Sequence, residues 1–280
     1  MIKNILGGVA IGIANIIPGV SGGTIMVILG FFDEIIKAIS NVFKFENENR
    51  LKDIVFLGQI ILGAFIGLVA FANVLDWLFA HYATQTLFWF AGLIALSIPT
   101  LLKTELKGNK ISIIPLLIGA ALVITIFYLS PSKQEIQIVE FPLLTVKLMV
   151  ELIIAGAVAG GTMLMPGVSG SMVLLIIGEY YLIKSYIANV LSFDLHVLIP
   201  LGIIGVGIVV GILLSAKITS YYLEKYRGKT VSFILGLVGA SAIVLIPFDV
   251  TYTLSTTLGS FIAFIIGAVF IVMVEKLATQ

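Results

Sequence analysis

The sequence predicts an all-α integral membrane protein made of two inverted-topology repeats, each a re-entrant helical hairpin followed by three transmembrane helices. Three observations carry that prediction. The 280 residues are 60% hydrophobic and only 11% charged, with a mean hydropathy of +1.18, whereas soluble domains carry roughly 25% charged residues. The apolar runs are long and unalternated, as membrane helices of about 20 residues require and β-barrel strands do not. Finally, the heptad Ile17-Pro18-Gly19-Val20-Ser21-Gly22-Gly23 returns 148 positions later as Met165-Pro166-Gly167-Val168-Ser169-Gly170-Ser171. A helix breaker at matching points of two halves is the strongest sequence pointer to a transport site.

Composition excludes other classes. A net charge of +1 without a basic tract gives no purchase on nucleic acid. The absence of cysteine removes disulfides and thiolate metal sites, and no pattern calls for a metal or cofactor. Lys3 precedes an apolar run, but that run continues past Pro18 with no small-residue cleavage site, so residues 1–31 read as mature protein rather than a signal peptide.

The duplication extends beyond the heptads. At an offset of 148, Ile28, Gly30, Ile35, Ile39 and Asn41 match Ile176, Gly178, Ile183, Ile187 and Asn189. At an offset of 144, Gly63, Gly67, Tyr82, Thr86, Gly92 and Ser97 match Gly207, Gly211, Tyr226, Thr230, Gly236 and Ser241. The first repeat is thus 1–130: a hairpin at 5–31, then spans at 54–76, 86–102 and 111–129. The second is 146–280: a hairpin at 148–178, then spans at 196–217, 229–247 and 255–275.

The Pro-Gly segments either cross the bilayer as broken helices or enter and leave on one side. Charge placement decides, because short cytoplasmic loops collect Lys and Arg. With both segments re-entrant, both termini and the basic loops 32–53, 103–110 and 217–229 fall inside, while 77–85 and 248–254, without Lys or Arg, fall outside. Crossing segments would put the first two basic loops outside. Three crossings per half then invert the second half, so the hairpins enter from opposite faces and their tips approach near the midplane. Limbs at 5–17 and 21–31 would be about 17–20 Å long, just past the middle of a ~30 Å hydrocarbon core.

At such tips the residue types suit anion binding. Pro18 and Pro166 end the inward helices. Gly19, Gly22, Gly23, Gly167 and Gly170 let a ligand approach the backbone. Ser21 and Ser169 stand at the N-cap positions of the outward helices, with Val20, Thr24, Val168 and Ser171 completing the two loops. Helix starts with open amides favour phosphate or carboxylate without burying a lysine. Gly8, Gly12, Gly63, Gly67, Gly156 and Gly160 read as helix-packing glycines. Glu151 and Glu179 are the candidates for coupling to a proton or sodium ion; solvation at the interface beside Lys147 and Lys184 is the plainer reading of both.

The paired Pro-Gly-Val-Ser-Gly motifs, with the run of Gly8, Gly12, Asn15 and Pro18 to Thr24, resemble the PopT-type polyprenyl-phosphate translocases, and the likeness covers essentially the whole chain. The resemblance implies a lipid flippase of the bacterial cytoplasmic membrane that returns undecaprenyl phosphate to the cytoplasmic leaflet, for reuse in peptidoglycan and other envelope polymers. Its partners would be polyprenyl phosphate and membrane lipids. Two other functions compete: a membrane undecaprenyl pyrophosphate phosphatase, and an ion-coupled transporter of a small soluble anion. The phosphatase motif continues Ser-Arg-Ser, whereas glycine follows Ser21 and Ser169 and neither hairpin contains arginine, the charge that phosphoryl transfer needs.

Overall fold

The computed structural model describes residues 2–16, 21–42, 49–106, 108–129, 141–248 and 250–278. The described residues are helical: α1 (Ile2–Ile16), α2 (Gly22–Ile28), α3 (Phe32–Asn41), α4 (Arg50–Leu106), α5 (Ile113–Leu129), α6 (Val146–Met163), α7 (Gly170–Ile176), α8 (Tyr180–Ala188), α9 (Leu195–Lys225), α10 (Arg227–Val244) and α11 (Leu254–Ala278). Among the described residues, five stretches are long and apolar enough to cross a bilayer: Arg50–Phe71, Val146–Met163, Leu195–Lys225, Arg227–Val244 and Leu254–Met273. Large apolar side chains such as Phe65, Ile114 and Phe261 cover the outside, as the surface of a multi-pass membrane protein requires.

Hydropathy misplaces several boundaries. Segments 77–85 and 217–229, expected as loops, are helical except at Tyr82 (φ −139°, ψ 41°) and Tyr226 (φ −134°, ψ 43°). Thr86 Oγ1 donates to Tyr82 O at 2.8 Å, and Thr230 Oγ1 donates to Tyr226 O at 3.1 Å. A hydroxyl bonded to the carbonyl four residues back is a known cause of helix bending. The helices run on to these breaks because backbone groups need partners wherever the apolar side chains end.

The loops expected at 32–53 and 179–195 contain α3 and α8. The outward limb expected over 21–31 is shorter than predicted. Helix α2 spans seven residues, about 10 Å, because Gly30 turns the chain at φ +73° and Gly178 does the same at φ +85° after α7. Helix α6, by contrast, has 18 residues, about 27 Å, enough on its own for a crossing.

Close glycine contacts fix the helix pairs. Gly8 and Gly12 of α1 lie against the Ile60 and Ala64 carbonyls of α4, and Gly63 and Gly67 lie against Ile5 and Val9. Gly156 and Gly160 of α6 meet Ile204 and Ile208 of α9, and Gly207 and Gly211 meet Ile153 and Ala157. Both pairs therefore run in the same direction. Gly92 packs on Phe264 and Gly267 on Trp89, while Gly236 packs on Leu116 and Gly119 on Phe233. Each half lends its last helix to the other.

These positions supply a direct test of packing. Gly63→Ala or Gly211→Ala, forcing backbone apart, should lower stability by about 1–3 kcal/mol. Gly58 and Gly202 have open space around them, so alanine there should be neutral or stabilise by about 0.5–1 kcal/mol. Thermal unfolding of the detergent-solubilised chain separates the two pairs.

Candidate functional site

Ile17, Pro18, Gly19 and Val20 lie outside the described residues. Of the rest, Ser21, Gly23 and Thr24 meet Met165, Pro166 and Gly167, while Ser169, Gly170 and Ser171 make no bond to the first motif among the described residues. Ser21 Oγ donates to Met165 O at 3.0 Å, and the Gly167 N–H donates to Thr24 Oγ1 at 2.7 Å. A side chain on Gly23 would stand 3.0 Å from the Met165–Pro166 peptide. Ser21 and Thr24 are 3% and 0% exposed, so water offers these groups no alternative. Bonds between groups about 144 positions apart in sequence fasten one motif to the other.

The two helix starts differ. At α2 the amides expected to stand open are already used: Gly22 N–H donates to Asn15 Oδ1 at 3.2 Å, and Gly23 N–H donates to Ser21 Oγ at 3.2 Å. Thr24 N–H closes back on Ser21 O at 2.9 Å. Ser169 occupies the equivalent position before α7 but makes no side-chain cap. Its hydroxyl instead lies 2.8 Å from that of Ser171, on a solvent-accessible edge. The hydroxyls of the second motif thus bond to each other rather than capping α7.

Gly167 takes φ +77°, and a side chain there would lie 2.6 Å from Leu237 O. Val168, 1% exposed, clusters with Val123, Leu237 and Ala240. Leu237 lies 11 residues beyond the break at Tyr226, about 16 Å along α10.

Chain direction around the motifs is equally defined. Gly7 abuts the Phe31 ring, so the chain after α2 returns to the beginning of α1. In the other half, Gly170 faces Ala159 of α6, and Ile183 and Tyr186 of α8 join Leu148, Leu152 and Val197 in one cluster. The chain after α7 thus returns to where α6 and α9 begin. At the far end of α9, Arg227 Nη2 donates to Asp33 Oδ2 of α3 at 2.8 Å, a pair with both side chains 18% exposed.

Glu151 and Glu179 come together at the α6–α8 end. Glu151 also pairs with Lys147 at 3.8 Å. Burial, reinforced by the charge of Glu151, pushes the Glu179 carboxyl above its ordinary range. The Tyr186 hydroxyl has no hydrogen-bond partner among the described residues, its ring stacks on Phe141 at 4.8 Å, and burial, then Glu179, raises it.

Sequence reasoning missed three features: the buried Tyr186 phenol, the Asp33–Arg227 pair, and a cavity of about 450 Å³ beside Met165 and Pro166 that reaches Tyr226 and Lys229. The matched Tyr82/Thr86 and Tyr226/Thr230 pairs were the one available signal for the break that shapes this cavity.

The chain matches the undecaprenyl phosphate translocase-like family over residues 11–262. It belongs to that family. It is 30% identical over 247 residues to a polyprenyl-phosphate transporter of Staphylococcus aureus, covering 87% of this chain and 86% of the relative. A polyprenyl-phosphate transporter of Vibrio cholerae is 30% identical over 243 residues, 83% of this chain and 73% of the relative. No solved structure matches the chain. The names of the family and of both relatives are those of transporters, not enzymes.

Two measurements address the site. Thr24→Val removes the acceptor of the Gly167 N–H and should cost about 1–3 kcal/mol, whereas Thr24→Ser keeps the bond and should fall nearer wild type; chemical unfolding in micelles reads the difference. Because Glu179 holds its proton in the fold where the unfolded chain has lost it, stability should fall as pH rises above the ordinary carboxylate range. Glu179→Gln should flatten that profile.

Proposed function

We propose that this chain moves polyprenyl phosphate, of the undecaprenyl class, from the outer to the cytoplasmic leaflet, with the phosphate cradled where the two Pro-Gly-Val-Ser-Gly motifs meet. The observation that carries the reading is the bonded contact of the motifs, Ser21 to Met165 and Thr24 to Gly167, in a family named for undecaprenyl phosphate translocation.

The architecture belongs to the same proposal: two inverted repeats, each opening with a re-entrant hairpin. Three contacts support it. Phe31 returns to Gly7, and Tyr186 returns to Leu148. The Asp33–Arg227 pair puts the open end of the first hairpin with the end of α9, whereas α6 starts with the beginning of α9. The hairpins then enter from opposite faces. The first opens on the face bearing Lys37, Arg50, Lys110, Lys225, Arg227 and Lys229, the cytoplasmic one by charge. Irregular backbone at the tips is tolerable because other protein covers it.

In this reading the second motif binds. Ser169, Gly170 and Ser171 offer hydroxyls and amides, while Ser21, Gly22, Gly23 and Thr24 hold the opposing tip and Pro166 and Gly167 shape the loop. Neutral donors suit a headgroup that must be released again. Glu151 and Glu179 are the places at which a proton or sodium ion would couple to the movement, and rocking of the repeats exposes the site alternately.

The test is leaflet-resolved movement of undecaprenyl phosphate in proteoliposomes under proton and sodium gradients. Ser169→Ala with Ser171→Ala should slow it by about 10–100-fold, the worth of hydrogen bonds to a charged group, with unfolding temperature unchanged. A wild-type rate from that double variant refutes the placement of the phosphate.

A further inference from the structure

Helices α9 and α10 diverge from Tyr226 as the arms of a V, and the space between them is the cavity of about 450 Å³. Its deep end is apolar, closed by Pro166, Phe233 and Leu237, with Ile118 of α5 on one side. Its other end is polar: Lys229, Thr230, Tyr222 and Tyr226 line it. The Lys229 ammonium stands 5.8 Å from the centre of the Tyr226 ring, and the Thr230 hydroxyl is shared between Tyr222 O at 3.0 Å and Tyr226 O at 3.1 Å. One end therefore suits an anion and the other a hydrocarbon chain, about 12 Å apart along α10 from residue 229 to residue 237.

The duplicated break supplies an internal comparison. Backbone angles at Tyr82 and Tyr226 agree within a few degrees, and Thr86 repeats Thr230. Yet the residues matching Lys225, Arg227 and Lys229 are His81, Ala83 and Gln85. The bend needs none of the three cations, so their presence at one break only is a separate property of that end. Arg227 is engaged by Asp33, and Lys225 lies over the Tyr221 ring; Lys229 is the one whose side chain lines the cavity.

We infer that this V-shaped cavity is a second substrate site, in which the phosphate of the transported polyprenyl phosphate rests against Lys229 and the first isoprenoid units of its chain fill the space beside Phe233, Leu237 and Pro166. The inference rests on the transport reading above and adds to it a binding station between the motifs and the α9–α10 turn. The charge at the mouth and the apolar floor match one amphiphile; a free phosphate would leave the floor empty.

Because the chain contains no cysteine, single thiols report occupancy cleanly. Ile118→Cys and Ile218→Cys each place one at the cavity wall, and maleimide labelling is followed in nanodiscs with undecaprenyl phosphate, phosphatidylglycerol or inorganic phosphate added. At ten times its dissociation constant, undecaprenyl phosphate should slow labelling about tenfold at either position. Adding Lys229→Gln should weaken that protection about tenfold, and Lys229→Arg should restore it. Equal protection by phosphatidylglycerol, or by inorganic phosphate, overturns the inference. Wild-type transport in matched vesicles separates the two readings: transport without protection overturns the cavity site alone, and no transport overturns the function on which it rests.

Discussion

Hydrocarbon offers no partner to an open N–H or C=O, and that constraint bears on how the backbone groups of the two Pro-Gly-Val-Ser-Gly motifs are satisfied. Breaking a helix frees backbone groups that cost free energy unless something else satisfies them. Here the two broken segments serve each other. Ser21 reaches the carbonyl of Met165, and Thr24 receives the amide of Gly167. Asn15, one turn earlier on α1, takes the amide of Gly22. Each interruption is tolerable only because the other is beside it, which ties the position of one half to that of the other.

Close glycine packing makes the meeting possible. With α1 pressed against α4 and α6 against α9 at carbonyl-to-glycine contact, these helix pairs are held laterally independently of the polar contacts between the motifs. The exchange of last helices, α11 on α4 and α5 on α10, joins the halves: Leu101 of α4, Ile234 of α10 and Ile271 of α11 share one buried cluster, while Leu152, Tyr186 and Ile204 form a smaller one within the second half. Gly92 on Phe264 and Gly236 on Leu116 are matching contacts, Gly236 lying 144 positions after Gly92 and Phe264 148 after Leu116.

Much of this was legible in the residues. Class followed from composition, and the packing glycines from their spacing. The approach of the motifs followed from counting charges on loops. What escaped had a common cause: hydropathy registers where side chains stop being apolar, not where hydrogen bonds stop. It therefore read 77–85 and 217–229 as loops although the helices continue to one residue, Tyr82 or Tyr226. It also read the segments after Gly30 and Gly178 as connections, although Phe32, Ile35 and Ile36 give α3 a buried face. The unequal helix starts were hidden for another reason. Ser21 and Ser169 occupy the same motif position, and only the placement of Asn15 and Met165 closes the first; the residue matching Asn15 is Met163, which has no amide to offer.

That inequality bears on how a site without a cation can move a phosphate. Two open, identical starts would hold an anion symmetrically and favour neither face. In the proposed function, one start sealed by Asn15 and Ser21, and one left with its serines uncapped, would confine the headgroup to the second motif. From there the α9–α10 break leads to Lys229, whereas the matching break in the first half carries Gln85. In the proposed arrangement the potential along the path therefore rises toward one face only. Neutral hydrogen bonds hold the headgroup at mid-depth, where a permanent charge would be costly, and an ammonium group draws it on at the edge, where water pays most of the cost of that charge.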